Sequence, residues 1–239
     1  MAFYDRIAKK WHALTGSRGG AFKRFVLNEL VLNALPDIAG LAILELGAGN
    51  GYFMPLVLRR FSGQVPARIV ITDQSQALLD VAQRNFRVPA AEYRILDVRR
   101  PVPFTDSAFD LIVSNMVFNE LNDAGLRCAV GECGRVLVGG GRLVATVTHP
   151  AFVDSLLTRG QLRQSAHGVP TMPGSDGLRL PAVPRSTAAY QAAFQQAGFK
   201  CRAQDVYATE QVLRAKRGLL QAGKVPLALL FECEMAAPP

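Results

Sequence analysis

The chain has 239 residues, 49% hydrophobic and 19% charged, which is enough to bury one full core as a single domain. Its formal charge of +8, from 27 Lys and Arg against 19 Asp and Glu, raises the question of an anionic partner. The basic residues fall in scattered doublets (Lys23-Arg24, Arg59-Arg60, Arg99-Arg100, Lys216-Arg217) without interleaved aromatics, which argues against nucleic acid, and no apolar run reaches the roughly 18 residues of a membrane span.

In chain order, Phe3, Ile7, Trp11 and Leu14 recur at helical spacing. The charges in MAFYDRIAKKWHAL do not suit the apolar centre of an export signal, so a cytoplasmic location is expected. After the turn TGSRGG, residues Phe22, Phe25, Val26, Leu30 and Leu32 predict a second helix ending near Pro36. Residues 1–36 read as a helical cap. From Leu41 short β-rich runs alternate with helices: LAILEL, a helix after Gly51, RIVITD, SQALLDVAQRNF, EYRILD, FDLIVSN, a helix to about Leu137, and GRLVATVTH. Such alternation predicts an α/β, doubly wound, mainly parallel sheet, with residues 41–150 as its core.

Residues 158–186, rich in Pro, Gly and Ser, show almost no periodicity and read as a lid, a binding loop or disorder, their place just after a strand's carboxyl end favouring a lid. A helix (TAAYQAAFQQAGF), a strand (KCRAQDVYA), a short helix around Val212 to Leu220 and a last strand (PLALLFECEM) follow, so residues 151–239 supply the lid and closing elements of one domain spanning 1–239. Cys128, Cys133, Cys201 and Cys233 form no CxxC pair and have no histidine at ligand spacing. They are expected to be small reduced residues, and no metal is expected.

LELGAGNGYF places Gly47, Gly49 and Gly51 directly after the first strand, where an open parallel sheet binds ligands. The dinucleotide pattern GxGxxG needs its third glycine at position 52, which is Tyr52. That spacing counts against a nicotinamide cofactor and a dehydrogenase. Asp73 ends the second strand, where a carboxylate accepts from ribose hydroxyls, and Asp97 follows the third, where it can accept from an adenine amino group. Either acid also reads as a cap of the segment after it.

ILELGAGNGYF, RIVITDQS, YRILDV, FDLIVSNMVFNEL and GRVLVGGGRLVATVTHP, in this order, resemble the motifs of the class I S-adenosylmethionine-dependent methyltransferases, and YDRIAKKWHAL with FKRFVLNELVLNAL resembles the N-terminal helices of their small-molecule members. The resemblance spans about Tyr4 to Met235. It implies a Rossmann-like sheet of seven strands in the order 3-2-1-4-5-7-6, with the seventh strand antiparallel. It implies S-adenosyl-L-methionine as cofactor, held by Tyr4, Glu45, Gly47, Ala48, Gly49, Gly51, Asp73, Gln74, Asp97, Val98, Ser114 and Asn115.

The cofactor brings its own electrophile, so alignment of the acceptor matters more than a base, and catalytic side chains are few. Candidates after the fourth strand are Asn119 and Glu120, which also read as helix-capping residues. SNMVF lacks both prolines of the NPPY motif found in amino-directed nucleic-acid methyltransferases. His149 ends the fifth strand before Pro150 and reads either as a general base or as a strand anchor. Glu120 and His149 are the catalytic candidates; Asn119, His149, Arg185 and Tyr190 are the substrate-binding ones. Arg159, Arg163, Arg179 and Arg185 suggest an anionic small-molecule acceptor, methylated on O or N. An RNA or protein methyltransferase, and a non-catalytic nucleoside-binding protein of the same fold, remain as alternatives, and the sequence does not specify an oligomeric state.

Overall fold

The computed structural model of the protein describes residues 3–165, 169–174, 177–215 and 225–237. Helix α1 (Phe3–Thr15) opens the chain. The second predicted helix has two parts: a π turn over Lys23–Leu27, closed by the Asn28 amide donating to the Lys23 carbonyl, then α2 (Asn28–Ala34). The core runs β1 (Ala42–Leu46), α3 (Phe53–Arg60), β2 (Arg68–Asp73), α4 (Gln76–Asn85), β3 (Glu92–Ile95), β4 (Phe109–Asn115), a 3-10 turn (Phe118–Glu120), α5 (Asp123–Val136) and β5 (Leu137–Thr148). Next come α6 (Pro150–Thr158), the short strands β6 (Arg163–Gln164), β7 (Pro170–Pro173) and β8 (Arg179–Pro181), then α7 (Thr187–Gln196), β9 (Phe199–Val206), α8 (Glu210–Ala215) and β10 (Ala228–Met235). Part of the predicted Val212 to Leu220 helix, together with His167, lies outside the described residues.

The main sheet has seven strands in the order β3-β2-β1-β4-β5-β10-β9, and β10 runs antiparallel to both neighbours. Counting only this sheet's strands, that is the expected 3-2-1-4-5-7-6. Period-two alternation sorts its side chains onto two covered faces. Leu44 and Leu46 of β1 face α5 and α7 among Leu126, Val130, Tyr190 and Phe194, whereas Ile43 faces α2 and α3 among Val31, Phe53 and Val57. Glu45, two residues after Ile43, therefore shares the face that the cap covers. No described helix is long and apolar enough to cross a membrane.

Two readings of the sequence are corrected and one helix is added. Residues 158–186 are not one structureless loop, because β6, β7 and β8 form a small antiparallel sheet. Strands of two to four residues are too short to show alternation, and Pro170, Pro173 and Pro181 mark their ends. Helix α6 was hidden by Pro150, which begins the helix at a position where a missing N–H costs nothing. Cys201 and Cys233 are not free thiols but a disulfide, whereas Cys128 and Cys133 are free. The two face each other across the β9–β10 pair, with Cα atoms 4.0 Å apart. That juxtaposition depends on strand register, which cysteine spacing does not reveal. A link closing 32 residues constrains the unfolded chain by about 3.7 kcal/mol. Thermal scans with and without reductant should therefore differ by several degrees, and superimposable scans would show that the cross-link contributes nothing.

Candidate active site

The glycine turn leaves β1 with Gly47, Gly49 and Gly51 all at positive φ (66°, 60° and 80°). A Cβ on Gly47 would lie 2.3 Å from the Val117 side chain, and one on Gly51 would lie 2.4 Å from the Ala82 side chain, so these two glycines permit close packing. Gly49 differs: the nearest atom to its hypothetical Cβ is Trp11 Nε1, at 3.4 Å. The single tryptophan of the sequence thus places α1 across the glycine turn. Asp5 of the same helix fastens it down by accepting from Ser75 Oγ at 2.6 Å at the start of α4.

Beneath this cap five ionisable side chains from five segments interact: Tyr4, Lys23, Glu45, Asp73 and Glu120. Tyr4 Oη donates to Glu120 Oε1 at 2.5 Å, joining α1 to the 3-10 turn after β4. Burial pushes the Glu120 carboxyl up to about 8, although the Tyr4 hydrogen bond and the Lys23 charge oppose it. Glu45 is also pushed up to about 8 by burial, with Lys23 opposing and Asp73 assisting. Burial raises Asp73 to about 6 against the amides that donate to it. Its Oδ2 accepts from Gly49 N at 2.8 Å and its Oδ1 from Ser75 N at 2.9 Å, so one carboxylate ties the glycine turn to the start of α4. With about four lone-pair sites, a carboxylate engaged twice can still accept two hydroxyls.

Other predicted cofactor residues lie where expected in the chain but differ in their engagement. Ser114, fully buried at the end of β4, has no hydrogen-bond partner for its hydroxyl, and Glu45 Oε2 and Asn119 Oδ1 are likewise buried without one. Asn115 accepts from Thr146 Oγ1 at 3.2 Å, and Met116 beside it holds φ at 63°, a strained conformation for a residue with a side chain. Ala48 and Val98 are buried apolar positions. Asp97 is already paired: Arg99 donates Nε to Oδ1 and Nη2 to Oδ2, both at 2.8 Å, and reaches Gln74 Oε1 at 3.3 Å. Arg99 holds the Asp97 carboxyl below its ordinary range.

The substrate candidates His149, Arg185 and Tyr190 each engage partners within the chain itself. His149 caps α6: its Nδ1 accepts from Ala151 N at 2.9 Å, and Nε2 stands 3.2 Å from Asp205 Oδ1. With Nδ1 accepting, Nε2 carries the proton, so neither nitrogen is available as a base in this arrangement. Tyr190 is buried in the core against Phe231. Arg185, its side chain 3% exposed, donates to Leu121 O and Asp123 Oδ1 at 2.8 Å and to Phe118 O at 3.4 Å, and its guanidinium stacks 5.0 Å from the Tyr190 ring centroid. It thereby ties the segment after β8 to the turn carrying Asn119 and Glu120, as does the Val183 amide donating to Asn119 O. Arg179 is held by Gln161 O and Thr171 within the small sheet. Arg185→Ala should cost about 2 kcal/mol by leaving the Leu121 carbonyl without its donor, whereas the Phe118 carbonyl keeps the Leu121 amide. Asp123→Ala should cost under about 1 kcal/mol, its carboxylate being exposed. Denaturant titration of the two variants checks this ordering.

Lys23 was missed from the sequence because it reads as one of a surface basic doublet. It opens the π turn, and its charge acts on both Glu45 and Glu120.

The geometry fits a nucleoside with a polar amino-acid tail: Gly49 leaves the backbone approachable, Asp73 keeps acceptor capacity, and Glu45, Ser114 and Asn119 are buried with unpartnered acceptors. Comparison with known proteins agrees. Residues 43–141 match the family described as a methyltransferase domain. A demethylmenaquinone methyltransferase of Thermus thermophilus is 35% identical over 103 residues, covering 43% of this chain and 44% of the relative. A malonyl-[acyl-carrier protein] O-methyltransferase of Bacillus cytotoxicus is 30% identical over 106 residues, covering 44% of this chain and 35% of the relative. The chain thus spans less than half the length of these curated relatives. The crystal structure of an S-adenosylmethionine-dependent methyltransferase from Mesorhizobium loti shares the fold with a TM-score of 0.67 at 19% identity, covering 92% of this chain and 100% of that one. Residues 43–141 thus match a methyltransferase domain, and the strand order is that of the fold seen in solved S-adenosylmethionine-dependent methyltransferases. S-adenosyl-L-methionine is the cofactor of that class.

Proposed function

We propose that the protein transfers the methyl group of S-adenosylmethionine to an O or N atom of a small-molecule acceptor, releasing S-adenosylhomocysteine. The observation that carries this reading is the half-buried Tyr4–Glu120 pair, set under the cap beside Glu45 and Asp73 at the carboxyl ends of the strands. When bound, the cofactor supplies a methyl group on a positively charged sulfur, an electrophile needing no further activation. The chain's own part is to hold the ribose at Asp73, to cover the site with α1, and to take the acceptor's proton at Glu120. A carboxyl near pH 8 suits that last task, since a base works best with a pKa close to the working pH.

The acceptor we infer is a neutral O–H or N–H nucleophile rather than the anion that the arginines suggest. Arg179 and Arg185 are committed to acceptors of their own chain, and the site's charges are three carboxyls and one lysine. The same accounting weakens the RNA reading, because Arg99 and Arg135 also bind carboxylates and backbone carbonyls instead of forming a phosphate track. Calorimetry with S-adenosylhomocysteine tests the cofactor. Methyl transfer assayed on hydroxyl, amine, quinol and malonyl-thioester acceptors tests the reaction, the last two taken from the relatives' names. No nucleoside binding would end the proposal, and binding without turnover on any acceptor would favour a non-catalytic role.

A further inference from the structure

We propose that Lys23 is the carboxylate seat of this site and holds the amino-acid carboxylate at the methionine end of the cofactor, an inference that rests on the cofactor reading above. Lys23 begins the π turn Lys23–Leu27, and single π turns within helices concentrate at functional sites. Its stem is guided by the preceding turn. Gly19 has φ of +78°, and a Cβ there would lie 2.7 Å from Lys23 Cβ and 2.9 Å from Tyr52 Oη. The ammonium sits 5.9 Å from the centre of the Tyr52 ring, and Tyr52 follows Gly51 directly, so the charge is delivered to the far end of the glycine turn.

What the ammonium does there is unresolved by the protein's own contacts. Among the described residues no carboxylate comes within 4.0 Å of it, although its charge lowers both Glu45 and Glu120. A lysine serving only as counter-charge to either carboxyl would close an ion pair with it. Instead the cation stands among acids without bridging to one, while Glu45, 3% exposed, keeps Oε2 without a donor. An unbridged ammonium and an unpartnered carboxyl oxygen facing the same site complement a zwitterion, with the carboxylate at Lys23 and the amino group at Glu45. Burial lowers the Lys23 pKa, and a bound carboxylate would favour its charged form again.

The test is calorimetry on the full chain with two probes: S-adenosylhomocysteine, which has the amino-acid tail, and 5′-methylthioadenosine, which lacks it. Lys23→Met should weaken S-adenosylhomocysteine roughly ten- to hundredfold, the range for a hydrogen bond to a charged group, and leave 5′-methylthioadenosine unchanged within about twofold. Lys23→Arg should retain most of the affinity for S-adenosylhomocysteine. Equal weakening of both probes would assign Lys23 to the architecture and overturn the proposal, as would no change in either. Wild-type protein that binds neither probe would remove the cofactor reading itself, a result distinct from binding that is indifferent to Lys23.

Discussion

Asp73→Ala is expected to weaken S-adenosylhomocysteine by about a hundredfold or more in calorimetry, because two hydrogen bonds from hydroxyls to a charged acceptor are worth about 1.5–3 kcal/mol each. The substitution also takes the acceptor from the amides of Gly49 and Ser75, so the glycine turn loses its tie to α4. Asp73→Asn separates the two effects. Its carbonyl oxygen can keep one amide bond while the charge is lost, and a loss of about tenfold is expected. Asp97→Ala should cost only a few-fold, because the Asp97 carboxylate is held by Arg99 and partly exposed. Acid should reproduce the effect in the wild type. With Asp73 raised to about 6, its carboxylate is mostly protonated at pH 5, and affinity should fall about tenfold between pH 8 and pH 5. Affinity constant across that range, or unaffected in Asp73→Ala, would remove Asp73 from the site.

These residues also show what can be read from a sequence of this kind. The glycine turn and Asp73 were legible because both lie within a residue or two of the end of an aliphatic run, and strand ends are where such sheets bind ligands. Sheet order followed from five motifs in sequence. Arg185 was not legible, because its partners Leu121 and Asp123 lie more than sixty residues away and are joined to it only by folding. Lys23 was not legible because the acids it acts on, Glu45 and Glu120, lie in distant segments of the chain, and the Cys201–Cys233 bond depends on register between strands. His149 was readable in part: an acceptor directly before a proline at the start of a helix is a capping pattern, and the structure shows that arrangement. Long-range contacts thus account for most of the difference between the sequence reading and the structure of the site.

Glu120→Gln should produce two opposite effects, and their combination is the informative result. If Glu120 accepts the acceptor's proton, turnover falls by about 10²–10⁴-fold, and the wild-type rise of kcat/KM through about pH 8 disappears. Stability should move the other way. The folded-state pKa of Glu120 lies above its ordinary 4.5, so the contribution of its neutral form is complete below about 4.5 and is lost as pH rises through about 8. The wild type without cofactor should therefore lose stability between pH 6 and pH 9, as Glu120 and Glu45 are forced to ionise in the same buried site. Glutamine cannot ionise, keeps an acceptor for Tyr4 Oη, and should blunt that loss. Each unit of raised pKa is worth about 1.4 kcal/mol, which corresponds to roughly 3–6 °C in a chain of this size. Thermal scans at pH 6 and pH 9 measure the effect without any acceptor, and Trp11, which packs edge-on against Tyr4 at 5.3 Å, provides a fluorescence signal for the same ionisation. A variant that lost turnover but kept the wild-type decline in stability would show that the ionisation lies elsewhere, leaving Glu45 as its source. A variant that gained stability at pH 9 yet kept full turnover would show that the carboxyl is buried there for some purpose other than proton transfer.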